Sequence, residues 1–131
     1  MNPRVAIGVG CRSNAGAETL VAVIRDATAR SPAGSTVVSL HSSARKAGDA
    51  DLLEAAGRRG LDLILHDEAA LRARDAEIPS RSARVIGIAG VGSLAEAAAL
   101  VGAGEGSRFV VRKFSASGVS CAVAVAAESK S

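Results

Sequence analysis

The chain has no tryptophan and no tyrosine, and Phe109 and Phe114 are its only phenylalanines. Stacking platforms for single-stranded nucleic acid interleave several aromatics with basic residues, and so few aromatics exclude one. Alanine and valine supply most of the apolar 48% of the 131 residues, which favours close backbone packing and leaves little room for a large greasy cavity. Cysteine is also scarce. Cys11 and Cys121 lie far apart without a CxxC spacing, so reduced thiols and no disulfide are expected. No apolar run is long enough to span a bilayer, the longest being Cys121–Ala127. Arg12 interrupts a very short N-terminal apolar segment, so no signal peptide is expected and a cytoplasmic protein is. Sixteen Lys and Arg against thirteen Asp and Glu give a net charge of +3. These basic residues are scattered, without the dense stripe that nucleic acid demands. A small polyanionic ligand fits better than nucleic acid or a membrane.

What remains is a regular alternation of elements within one domain, residues 1–131, with a flexible tail over about 127–131. Arg4–Val9 reads as a buried strand ending in glycine. Ala17, Leu20, Val21, Ile24 and Ala27 follow at helical spacing. Ser13 or Asn14 is placed to cap that helix, with Glu18 near its positive end. Ser31–Ser35 breaks the chain, and Thr36–Leu40 reads as a second strand followed by a polar segment, Ser42–Gly48. Asp49 and Asp51 precede a short helix through Leu52, Leu53 and Ala56 that stops near Gly57 or Gly60. Leu61–Leu65 is a third strand, and Asp67 caps a helical turn over Glu68–Arg74. Val85–Ile88 is a fourth strand, and a glycine-rich turn leads from it into a helix ended by Gly102 and Gly104. Arg108–Lys113 and Val119–Ala126 form a hairpin around Phe114–Gly118.

Strands alternating with helices imply an α/β fold: three layers, α/β/α, around a mixed, mostly parallel sheet of about five or six strands with a C-terminal hairpin. Ligands of such sheets bind beyond the carboxyl ends of the strands. Gly10–Asn14, His41–Lys46, His66 and Gly90–Ser93 are therefore expected on one rim.

Gly90-x-Gly92-x-x-Ala95 and Gly8-x-Gly10 resemble pieces of a dinucleotide fingerprint. The second has Ser13 where a third small residue belongs, and His41 and Ser42 stand where an acidic residue would hold a ribose. Ser93-x-x-Glu96 is a capping box, which accounts for both side chains structurally. A cap does not need two glycines, and Gly90 and Gly92 would let backbone N–H groups approach an anion at the helix start. His41, His66, Cys11 and Cys121 match no compact metal spacing, so no metal and no cofactor are expected. Cys11, after a glycine and before a helix, is placed where a thiolate is favoured, although a cysteine there is more often a small packing residue. Lys46, Asp49 and Lys113 read on charge alone as solvated positions.

Taken in order, the blocks VAIGVGCRSNAGAETL, ARKAGDADLLEAAGRRGL, GVGSLAEAAALVGAG and VVRKFSASGVSCAVAVA resemble the CobE/CbiG C-terminal domain family of cobalamin biosynthesis. The resemblance runs from about Val5 to Val125, and the third block is its most specific part. The family's GCR turn falls on Gly10, Cys11 and Arg12, and its lysine falls on Lys46. Its acidic position falls on Asp49 rather than glutamate. Its helix motif falls on Gly90, Ser93 and Glu96, and its later lysine on Lys113. Val91 replaces an expected threonine and so removes a hydroxyl, while Gly92 restores backbone access.

The resemblance implies a cobalamin-biosynthesis protein that binds or hands on a carboxylate-rich precorrin or corrin intermediate. Gly10, Cys11, Arg12, Lys46, Gly90, Gly92, Ser93 and Lys113 would be its ligand-binding residues. Two alternatives stay open. One is a hydrolase that opens a precorrin or cobalt-precorrin lactone with release of acetaldehyde, an activity associated with the longer CbiG-type protein. Asp49 and His41 are the candidate bases there by placement. The other is a non-catalytic adaptor for other enzymes of the pathway.

Overall fold

Val5, Ile7 and Val9 alternate with Ala6, Gly8 and Gly10, the period of two that sends aliphatic side chains to one face of a strand and almost nothing to the other. That alternation organises the whole molecule. A computed structural model of the chain describes residues 4–11, 15–74 and 94–126. Its strands are β1 (Arg4–Cys11), β2 (Thr36–Ser43), β3 (Asp62–His66), β4 (Arg108–Ala116) and β5 (Val119–Val125). Its helices are α1 (Ala17–Arg30), α2 (Ala50–Arg58), α3 (Glu68–Arg72) and α4 (Leu94–Ala103), with one 3₁₀ turn at Ala44–Lys46. Among the described residues the strands form one sheet in the order β3-β2-β1-β5-β4. β1–β2 and β2–β3 are parallel, whereas β1–β5 and β5–β4 are antiparallel. This is the expected three-layer mixed α/β fold closed by a C-terminal hairpin. The strand expected at Val85–Ile88 lies outside the described residues.

The two faces of the sheet are packed differently. Val5, Ile7, Val9, Leu40, Val119, Cys121 and Val123 meet Leu20, Ile24 and Ala27 of α1 and Leu52 and Ala55 of α2. Each fully buried leucine or isoleucine in this layer contributes about 1.5–3 kcal/mol. On the opposite face Ala122 and Ala124 meet Ala95, Ala98, Ala99 and Leu100 of α4, with Phe109 packed at the side. Small residues on both surfaces bring helix and sheet together closely. A Cβ at Gly8 would overlap the Ala95 carbonyl, and one at Gly10 would stand 3.6 Å from the Ala95 amide nitrogen. The scarcity of aromatics is thus a packing requirement of this thin layer.

Several local signals act as expected. Asp49 caps α2 through the Leu52 amide at 3.1 Å, and Asp67 caps α3 through the Ala70 amide at 2.8 Å. Others require correction. Gly16, with φ of 92° and no side-chain bond, occupies the cap position of α1, and Ser13 and Asn14 lie outside the described residues. β2 continues through Ser43 rather than ending at Leu40, because its polar residues find buried partners. The Ser42 hydroxyl donates to the Val9 carbonyl at 2.7 Å. Gly102 sits inside α4, and Gly104 alone ends it, at φ of 96°, with its amide bonded to the Leu100 carbonyl at 3.1 Å. The hairpin loop is shorter than the five residues expected. Ser117 and Gly118, both at positive φ (53° and 82°), make the two-residue turn. The Arg74 guanidinium donates to the Leu100 and Gly104 carbonyls at 3.1 and 3.0 Å and so secures the end of α4.

Candidate functional site

Because β1, β2 and β3 run parallel, their carboxyl ends, Cys11, Ser43 and His66, share one edge of the sheet. The first turn of α4 reaches the same edge, since Leu94 and Ala95 pack beside Gly10. After β2 the chain makes the 3₁₀ turn, with the Ser43 hydroxyl accepting from the Arg45 amide at 3.1 Å, and then enters α2. A shallow cavity of about 420 Å³ opens there, lined by Arg45, Lys46, Gly48, Asp49 and Asp51 among others.

Lys46 is the central cation of this rim. Its side chain is only 15% exposed, and its Nζ stands 3.7 Å from Asp49 Oδ2. That separation is a charge contact rather than a hydrogen bond. Asp49 uses its other oxygen to cap α2, so this candidate base already has two structural tasks. Burial pushes the half-buried Cys11 thiol above its ordinary value. The neighbouring Lys46 ammonium pulls it down and Asp49 and Asp51 push it up further. Burial wins, so Cys11 is a thiol and not the thiolate its position suggested. Cys121, fully buried, is pushed up to about 12 by the same cause and is inert.

The two histidines divide unexpectedly. His41, expected on the rim, is 2% exposed and lies beneath α4. The absence of a side chain at Gly102 makes room for its ring, since a Cβ there would overlap it. His41 Nε2 bonds Ser39 Oγ at 2.5 Å, and its Nδ1 bonds His66 Nε2 at 2.8 Å. The rings stack with centroids 5.1 Å apart and planes 16° from parallel. Burial first, and the neighbouring His66 second, lower the His41 pKa to about 4. His66 is also lowered by burial, with Asp67 opposing. His66 is the half-buried member, at the end of β3. Beside it Arg45 pairs with Glu68 of α3.

Ser93, its expected partner in the cap, lies outside the described residues, and Glu96 reaches across to the sheet. Its Oε2 accepts from the backbone amide of Lys113 at 3.2 Å, and the residue is wholly buried. The β4–β5 register skips between Val111 and Phe114, which frees that amide from the ladder. Glu96 thus ties the first turn of α4 to the irregular stretch of β4, and Lys113 enters the site by its backbone. Arg12, Gly90, Gly92 and Ser93 lie outside the described residues. Among the described residues no three His, Cys, Asp or Glu side chains converge as a metal site would require. No helix among them is long and apolar enough to cross a membrane. His41 and His66, both expected on the rim, do meet, whereas the bond from Ser39 to His41 and the Arg74 clamp escaped sequence reasoning. The only hint in the sequence was a histidine flanked by serines where a strand should be apolar.

A three-layer α/β domain with a lysine-bearing cavity at the carboxyl edge of its parallel strands belongs to the class of small mixed α/β domains. The comparisons define it further. The Cobalamin synthesis G C-terminus family matches residues 5–124, and the chain belongs to that family. CobE, a protein from the cobalamin (vitamin B12) biosynthetic pathway, is similar at 26% identity over 99% of this chain and 95% of its own, with a TM-score of 0.87. The cobalamin biosynthesis protein chiG from Agrobacterium tumefaciens str. C58 shares 30% identity over 95% of this chain and 99% of its own, with a TM-score of 0.75. A cobalamin biosynthesis protein G homolog from Sulfolobus solfataricus shares the fold, at 18% identity and a TM-score of 0.66. The match covers 94% of this chain and 37% of that one. No curated protein matches the chain significantly. The chain is a cobalamin-biosynthesis protein.

Proposed function

We propose that the chain binds a carboxylate-rich corrin-ring intermediate at the carboxyl edge of its sheet and holds it or passes it on within the pathway. One observation carries this reading: Lys46 is a sheltered cation, 15% exposed, in the wall of the rim cavity and 3.7 Å from Asp49, its ion-pair partner among the described residues. An ammonium has three donors. One is directed to Cys11, and Asp49 takes none at hydrogen-bonding distance, so among the described residues donors remain for a ligand carboxylate. Sheltering strengthens such a charge-assisted bond relative to one in open water. The start of α4 beside Gly10 adds a positive helix end to the same edge.

Catalysis of lactone hydrolysis finds no support in the two bases considered for it. Asp49 is committed to a cap and an ion pair, and His41 is buried.

The test is a visible-absorbance titration with hydrogenobyrinic acid. The expected result is a saturable band shift that Lys46→Met weakens by about tenfold or more, the value of one charge-assisted bond. Absence of any shift with the folded protein would overturn the reading.

A further inference from the structure

The geometry points to a second polar site on the same edge. We propose that Ser39, His41 and His66 form a one-directional hydrogen-bond relay that presents His66 as a neutral Nδ1–H donor to an acyl oxygen of a ligand. The relay stands on the free protein's own geometry, and only the identity of the ligand rests on the function proposed above.

A neutral imidazole has one donor nitrogen and one acceptor nitrogen. Both nitrogens of His41 are engaged, Nε2 with Ser39 and Nδ1 with His66 Nε2. The chain of bonds must therefore run either outward or inward. Outward, the Ser39 hydroxyl donates to His41 Nε2 and His41 Nδ1–H donates to His66 Nε2. The His66 proton is then on Nδ1 of the half-buried ring, and the two buried members, Ser39 and His41, are satisfied. Inward, both rings carry their protons on Nε2 and Ser39 only accepts. Its hydroxyl proton is then left without a partner among the described residues, at a position 7% exposed, and a buried unpaired donor is penalised. The outward direction wins.

Charge supports the same state. Burial lowers both rings below their ordinary value, aided at His41 by His66 and opposed at His66 by Asp67, and so favours the neutral forms near pH 7. A cation on His66 would need both of its nitrogens to donate, which would reverse the chain onto Ser39. His66 Nδ1 makes no hydrogen bond among the described residues, and the half-buried ring closes β3 at the edge the parallel strands share. Packing alone does not call for these groups. An apolar residue at position 41 would fill the space under α4 without a polar chain leading to the surface.

The chemical roles at this edge then differ. Lys46 is a charge for a carboxylate. His66 is an uncharged donor that orients any acyl oxygen, whether of a carboxylate, an ester or an amide.

Long-range ¹H–¹⁵N NMR of the labelled free protein at pH 7.5 reads the tautomers directly. Both histidines are expected as Nδ1–H, the minority form of free imidazoles. An Nε2–H signal for either ring overturns the relay. Saturating hydrogenobyrinic acid and, separately, its fully amidated derivative are then added. Movement of the His66 Nδ1–H resonance with both probes supports an acyl-oxygen site, and movement with the acid alone restricts it to carboxylates. Binding of either pigment with His66 unmoved overturns the ligand assignment. If neither pigment binds, the proposed function fails while the tautomers still decide the relay.

Discussion

Replacing His41 with glutamine should alter how the protein responds to acid, by an amount the structure fixes. The imidazole has an ordinary pKa of 6.5 and is lowered to about 4 in the fold, mainly by burial. Between those values the unfolded chain binds more protons than the folded one, so stability falls as pH falls. The window runs from about 6.5 down to about 4. Two and a half pH units at about 1.4 kcal/mol each give roughly 3 kcal/mol, a large share of a typical domain stability of about 5–15 kcal/mol. At pH 7 His41→Gln should be less stable than the parent by about 1–3 kcal/mol, because His66 loses its buried partner. At pH 4 the gap should have narrowed by about 3 kcal/mol and can change sign. Urea unfolding followed by circular dichroism at pH 7, 6, 5 and 4 measures this, and the carboxylates common to both proteins cancel in the difference. Parallel stability curves across that range would refute the argument, since they would mean that His41 is not buried as a neutral ring.

Four further outcomes follow from the structure. Gly57→Ala, near the end of α2 with open space around its Cβ position, should stabilise by about 0.5–1 kcal/mol in thermal unfolding. Gly102→Ala gains the same helix propensity but drives a methyl into the His41 ring, so a net loss of about 1–2 kcal/mol is expected. Equal effects of the two would show that α4 does not lie on His41. Glu96→Ala should cost at least about 2 kcal/mol and speed hydrogen exchange at the Lys113 amide. Glu96→Gln, which keeps an acceptor oxygen, should protect that amide better. Ser117→Asn should raise stability by about 0.5 kcal/mol, because asparagine tolerates the positive φ of the turn better than serine does.

The family resemblance was legible from four ordered blocks of sequence, and it placed Lys46 correctly at the edge where the parallel strands end. The behaviour of the individual rim residues was less legible. Cys11 keeps its proton because it packs against the apolar core and is desolvated there, and no local pattern reports desolvation. His41 was assigned to a loop because strand β2 becomes polar at that point. It is the bond from Ser42 to Val9 and the relay through His41 that keep those polar residues in the sheet.

The sequence by itself determined the elements and their sidedness. Period-two alternation in Val5–Gly10 and Val119–Val125, helical spacing in Leu20–Ala27, and the Asp49 and Asp67 caps are interactions among residues a few positions apart, so local chemistry suffices to fix them. The tertiary structure alone decided which distant groups meet. The path of α4 across the sheet sets Gly102 over His41, Ala95 over Gly8 and Glu96 against the Lys113 amide. Each of these contacts joins residues widely separated in the chain. They depend on the order β3-β2-β1-β5-β4 and on the close approach that small side chains permit, and neither follows from any one segment.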